Sequence, residues 1–338
     1  MFSKAIKKIL FPVFITSLAL VVLTFAYFEH KEIPIYNLKV AAKFILGKPN
    51  YTPYEGLIEK LGYSENDKLL IIQADDIGLA KSVNKASFEA LKKGYVSSGS
   101  VMATCGYVNE VGEFAVNNPN IDLGIHLTVT SEWRDYRWGG ILPAISTPSM
   151  VNKKGELKKS KKKFVLSAEP LELKKELQAQ IDLTKSIGIR PTHIDSHEGA
   201  LFFNQDLFRV YLEVGEENKL PVFVPKMVAT HFSEKFPKPE NVIVIENFYM
   251  AQKGLKTDDW ESFYINTLNG LKPGVSTLIV HLGFDDDEMR LITVGHPDYG
   301  AKWRELDYRS VSSKKFEKAL KRNNIKLITW KEIQKVLY

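Results

Sequence analysis

The chain has 338 residues, 44% hydrophobic and 25% charged, an ordinary globular balance with room for one large domain or two small ones. Its formal charge of +6 gathers in lysines 4, 7 and 8 and in the run from Lys153 to Phe164; no arginine-rich helix or aromatic-interleaved basic strip accompanies it, which argues against nucleic acid as a partner. A single cysteine, Cys105, excludes an intramolecular disulfide and a cysteine-rich zinc site, and reads as a small buried residue.

In chain order, the first feature is the uncharged run from Ile9 to Phe28, about twenty residues and long enough to span a bilayer, with three lysines ahead of it. The expectation is a transmembrane signal-anchor within residues 1–30, its N-terminus in the cytoplasm. A signal peptide cleaved near Thr24–Ala26 is the alternative. Residues 31–66 read as a juxtamembrane connector. Residues 67–338 read as the folded domain, outside the cytoplasm in either case.

From Leu69 onward, short apolar runs alternate with helical patterns. "LLIIQA" is a strand. Residues 82–93 place Val83, Ala86, Ala90 and Leu91 on one helical face, closed by Gly94. "SSGSVMATC" is a second strand, "YVNEVGEFAVNN" a helix stopped by Pro119, and "IDLGIHLTV" a third strand. The lysine-rich stretch at 153–163 reads as a solvated hairpin or lid. Residues 171–187 form an amphipathic helix through Leu173, Leu177, Ile181 and Thr184, ended at Gly188. "THIDSH" closes a strand, and "LPVFVP", "NVIVIE", "VSTLIVHL" and "IKLITW" follow as strands with helices between. Alternating βα units imply a parallel sheet, and seven or eight of them predict an α/β fold of TIM-barrel type, a (β/α) barrel with mostly parallel strands.

Catalytic groups in such barrels sit at the C-terminal ends of strands. Asp75 and Asp76 end one strand, His126 another, His197 a third and His281 a fourth. Two adjacent carboxylates beside apolar residues need a compensating positive charge, and a divalent cation supplies one. Asp76, His126 and His197 would form a two-histidine, one-carboxylate site with open positions. Asp75 would then act as general base towards a metal-bound water and His281 as general acid or oxyanion donor. Asp195 and His193 share a sheet face with His197; Asp195 is a candidate partner behind the ligands, and His193 a packing residue. The ligand set suits Mg²⁺ or Zn²⁺, with Mn²⁺ and Co²⁺ also compatible. His30, His231 and His296 fall in connectors.

"IIQADDIGLAKSVNKASFEALKKGYVSSGSVM", "LGIHLTVTSEW", "PTHIDSHEG" and "PGVSTLIVHLGFDDDEM" resemble, in order, blocks of the YdjC-like (ChbG-type) carbohydrate deacetylases, over most of residues 69–335. The resemblance implies a metal-dependent barrel hydrolase that removes acetyl groups from N-acetylated oligo- or polysaccharides. Asp76, His126 and His197 fall on its metal positions, Asp75 on the base and His281 on a catalytic histidine. "DSHEGALFF" departs from the histidine-rich "DSHHHVH" of some members and points to a different branch. "TSEWRDYRWGG" follows the His126 strand and offers Trp133, Tyr136, Arg137 and Trp138 to a sugar, with Arg134 beside them. A metal phosphoesterase and a non-catalytic glycan-binding barrel remain the rival readings.

Overall fold

A computed structural model describes residues 56–226, 228 and 241–338, with isolated positions between 17 and 46. The chain divides into compact units at 1–48 and 49–338, and every strand among the described residues belongs to the second. The expected anchor over residues 9–28 lies outside the described residues apart from isolated positions, as do His30 and His231 entirely. Among the described residues no helix is long and apolar enough to cross a membrane.

The strands are β1 (Lys68–Ile77), β2 (Ser98–Val101), β3 (Leu123–Leu127), β4 (Ile194–Ser196), β5 (Val222–Pro225), β6 (Val242–Ile245), β7 (Asn247–Tyr249), β8 (Gly274–His281) and β9 (Ile325–Leu327). Their order in the sheet is β6-β5-β4-β3-β2-β1-β8-β7, with β9 paired to the start of β1, and all these ladders are parallel. Only Glu246 separates β6 from β7, so the two ends of that path meet in one stretch of chain and the sheet curls into a nearly closed barrel. The helices are α1 (Leu57–Lys60), α2 (Lys81–Lys93), α3 (Val108–Asn117), α4 (Lys161–Ser167), α5 (Pro170–Ser186), α6 (Gln205–Glu217), α7 (Trp260–Gly270), α8 (Asp287–Ile292), α9 (Ala301–Val311), α10 (Lys314–Arg322) and α11 (Trp330–Leu337).

The expected helices at 82–93, 107–118 and 171–187 are present as α2, α3 and α5. Gly94 ends α2 in the left-handed conformation at φ 68°, which a residue without a Cβ adopts freely. "IKLITW" is only half a strand. Pairing stops at Leu327, and Thr329 starts α11 with a capping box in which its hydroxyl and Glu332 bond reciprocally. The packed body also begins ahead of the expected boundary at 67, because Leu57 and Ile58 of α1 are buried among barrel residues.

Strand periodicity sorts β1 between two cores. Leu70, Ile72 and Ala74 pack outward against helices, with Ala86, Ala90 and Val111. Leu69 and Ile71 point into the barrel, where Phe223, Ile243, Ile245, Ile328 and Trp330 fill its lower half. The same alternation brings Gln73 and then Asp75 onto the interior face above them. The barrel is thus plugged with apolar side chains below and lined with polar ones above.

Candidate metal and catalytic site

The pairing of β1 with β2 explains how two adjacent aspartates reach one site. Ala74 is opposite Gly99 and Ile77 opposite Val101, so β1 carries one extra residue between these rungs. In a regular strand Asp75 and Asp76 would face opposite sides; the bulge and a left-handed Asp76 (φ 65°) break that alternation. Gly78 completes the turn at φ 100°, where a Cβ would also stand 3.1 Å from the Met102 carbonyl oxygen.

Asp76, His126 and His197 are all buried and their donor atoms converge. Asp76 Oδ1 lies 3.3 Å from His126 Nε2 and 3.3 Å from His197 Nδ1, and these two nitrogens are 3.2 Å apart. The other nitrogen of each ring is taken: His126 Nδ1 meets Asp195 Oδ1 at 2.8 Å and His197 Nε2 meets Glu132 Oε2 at 3.2 Å. Carboxylates accept hydrogen bonds, so each outer nitrogen carries a proton, and in the neutral form that binds a metal each inner nitrogen presents a lone pair. Three acceptors then face one another, and Asp76 Oδ1 is buried without a hydrogen-bond partner. Such an arrangement calls for a cation at its centre. Donors about 2.0–2.2 Å from one ion stand about 3.0–3.5 Å apart, and these three do. The residues present therefore fit a divalent metal held by Asp76, His126 and His197.

The proton affinities express the same demand. Burial opposes charge on His197, but the Glu132 and Asp76 carboxylates outweigh it and push its pKa up to about 10. Burial likewise opposes charge on His126, and the carboxylates of Asp195 and Asp75 raise it well above the ordinary histidine value. Burial disfavours the Asp76 carboxylate too, yet the Arg304 guanidinium, donating to Oδ2 at 2.7 Å, holds it well below the usual range. Asp75 has no guanidinium beside it, and burial outweighs the opposing charge of His126 and pushes its pKa up to about 7. Its Oδ1 accepts from Gln73 Nε2 at 2.8 Å and Ser100 Oγ at 3.0 Å, while Oδ2 lies 4.0 Å from His126 Nε2.

His281 ends β8 on the same rung as Asp75, and its ring packs edge-on against Tyr299 with centroids 4.9 Å apart. Burial pushes its pKa down to about 3, so it is a neutral imidazole and a hydrogen-bond donor rather than a store of a proton. His193 packs: its ring stacks on Trp330 at 4.8 Å, close under Gly124, where any Cβ would collide with it. Cys105 is buried, and burial raises its thiol pKa.

The aromatic segment after β3 forms one wall. Trp138 lies 6.2 Å edge-on from the His197 ring and donates from Nε1 to the Thr130 carbonyl. Trp133 covers Arg304, whose guanidinium carbon stands 5.6 Å from the ring centre. Both tryptophans are buried. Tyr136 donates to the Leu79 carbonyl at 2.8 Å and Arg137 to the Leu157 carbonyl at 2.7 Å, so both polar ends are committed to the protein. His296, expected in a connector, accepts from the Arg134 backbone at 3.0 Å.

Five residues of the site escaped sequence reasoning, Ser100 beside Asp75 among them. Glu132 and Arg304 are visible only once the chain has folded, because their partners are remote. Gln73 left a signal, as the one polar residue inside an apolar strand; its Nε2 also donates to Asp195 Oδ2 at 2.6 Å. Trp330 donates to Gln73 Oε1 at 2.7 Å, which fixes the orientation of that amide.

Residues 69–322 match the sequence profile of the YdjC-like protein family. Over 296 residues the chain is 28% identical to a Thermus thermophilus protein named carbohydrate deacetylase, with 83% of this chain and 99% of the relative covered. A Thermoanaerobacter pseudethanolicus protein of the same name is 27% identical over 269 residues, covering 78% of this chain and 98% of that one. Among solved structures, an Enterococcus faecalis protein provisionally described as a cellobiose-phosphate cleavage protein aligns with a TM-score of 0.64 and 25% identity, over 79% of this chain and 99% of that one.

Proposed function

The chain belongs to the YdjC-like protein family, and on that premise we propose that it is a metal-dependent carbohydrate deacetylase, a hydrolase that removes acetyl groups from N-acetylated saccharides. The observation that carries the metal is the convergence of Asp76 Oδ1, His126 Nε2 and His197 Nδ1 around a buried, partnerless oxygen. A divalent ion held there would polarise the acetyl carbonyl and acidify a water beside it.

The chain's own residues do the rest. Asp195 and Glu132 fix the ring orientation of the two histidines. Gln73 and Ser100 engage Oδ1 of Asp75, leaving Oδ2 to take the proton of the attacking water. His281, neutral, donates a hydrogen bond to the oxyanion that forms on the acetyl group. The protonated Asp75 then returns its proton to the leaving nitrogen, and acetate and a free amine result. We assign the edge of Trp138 to contact with the sugar, and place the catalytic domain outside the cytoplasm on the strength of the apolar run at 9–28 and its lysines.

The test is acetate release from a panel of N-acetylated oligosaccharides. Release abolished by chelator, restored by a divalent ion and lost in His126→Ala supports the assignment. Turnover of phosphate esters in place of acetylated sugars overturns it. Asp75→Asn is expected to lower kcat by about 10²–10⁴-fold while metal binding persists. A reporter fused near residue 60 tests the placement across the membrane, and a cytoplasmic signal would refute it.

A further inference from the structure

The segment from Thr130 to Lys163 holds nine basic and three acidic side chains, a net +6 that equals the formal charge of the whole chain. Its acids are occupied. Glu132 faces His197 Nε2, Asp135 pairs with Arg134 at 2.6 Å, and Glu156 lies 3.5 Å from Arg137 Nε. Basic groups outnumber these acids, so the segment carries a net positive charge beside the site, where Lys161 also acts on Glu198. The lysines are spread along a hairpin, through Lys153, Lys154, Lys158 and Lys159, and then along the first turn of α4 at 161–163.

This hairpin belongs to the rim of the site. Ser131 N–H donates to the Lys158 carbonyl at 3.0 Å and Leu157 N–H to the Trp138 carbonyl at 3.0 Å, which ties it to the strip that carries Glu132 and Trp138. Lys161 Nζ stands 5.3 Å from the Phe203 ring centre, beside the turn that starts with His197. The charges do not converge on one point, as they would around a single phosphate group. They are spread over the hairpin and the first turn of α4 at the rim, which suits a chain of repeated negative charges.

We infer that this basic strip docks a polyanionic glycan, so that the substrate is an N-acetylated saccharide chain bearing carboxylates along its length. This rests on the deacetylase reading and narrows its substrate class. The strip captures the chain electrostatically and delivers an acetamido group to the metal ligands, an effect that weakens as salt screens it.

Full-length protein in a neutral detergent, loaded with a divalent ion, is given a hyaluronan hexasaccharide and the uncharged N-acetylglucosamine hexamer, with binding and acetate release measured separately. At low salt the anionic chain is expected to bind about tenfold more tightly. That ratio falls towards one at high salt and in the triple variant Lys158→Gln, Lys159→Gln, Lys161→Gln. Equal binding of the two sugars overturns the inference, as does a preference that survives both salt and the variant. Should the variant not fold, the salt titration of the native protein decides. A variant that keeps the sugar preference but no longer binds phosphatidylglycerol vesicles reassigns the strip to lipid headgroups and overturns the inference. Salt-sensitive preference for the anionic sugar with no acetate released from either supports the strip and refutes the deacetylase reading, so the two failures are distinguishable.

Discussion

Arg304 and Asp76 lie 228 positions apart in sequence and form a buried ion pair at 2.7 Å. Removing one partner of such a pair leaves an uncompensated charge, a loss of about 3–5 kcal/mol. Arg304→Met should therefore destabilise the metal-free protein by about that amount, and metal should restore part of the loss by supplying the missing positive charge. Denaturant unfolding with and without the ion measures this; equal losses in both states would refute the compensation. Glu132 acts one bond further out. Glu132→Ala is expected to weaken metal affinity about 10–100-fold by releasing His197 Nε2, and Glu132→Gln less, because an amide oxygen still accepts. Calorimetric titration of the two variants checks the order. The convergence of Asp76, His126 and His197 was legible because strand ends are where barrels carry their chemistry, so a histidine or aspartate there is informative without coordinates. Glu132 and Arg304 were not, since nothing local distinguishes them from exposed charges until their partners arrive through space.

At the scale of elements, α11 is the unexpected one. "IKLITW" reads as a continuous apolar run, and only the Thr329-x-x-Glu332 spacing signals that a helix begins inside it. The start of this helix is held by Asp122, whose carboxylate accepts from the backbone N–H of Trp330 at 2.9 Å and of Lys331 at 3.1 Å. Burial pushes the Asp122 pKa up to about 6. The folded state thus binds a proton more tightly than the unfolded chain, and the stability this confers is full at low pH and lost as pH rises from about 4 to about 6, amounting to about 3 kcal/mol. Asp122→Asn should flatten that slope in urea unfolding followed across this range; an unchanged slope would place the titration elsewhere. The bulge of β1 was equally hidden. The doubled aspartate was evident, but the extra residue that aims both carboxylates inward shows only in the register with β2.

For the whole molecule, alternation of strand and helix patterns carried the architecture, because each βα unit has its own local periodicity. The count of seven or eight units pointed to a barrel; where its two ends meet was not readable, since that depends on one short stretch changing neighbours at Glu246. Residues 49–338 form a compact unit with their own two cores, and relatives nearly covered by the alignment match 78–83% of this chain. Protein lacking residues 1–48 should therefore melt cooperatively and retain acetate release; loss of a cooperative transition would show that the first unit contributes to the fold. The floor beneath the site has a further meaning for integrity of the product. Trp330 lies eight residues before Tyr338, and a chain clipped after Leu327 would keep the proposed ligands, base and oxyanion donor. It would lose α11 together with Ile328, Ile333 and the indole that sets the Gln73 amide, leaving that amide free to turn its oxygen towards two carboxylates. By mass or immunoblot the fragment would pass for nearly intact, while its candidate site had come loose from below.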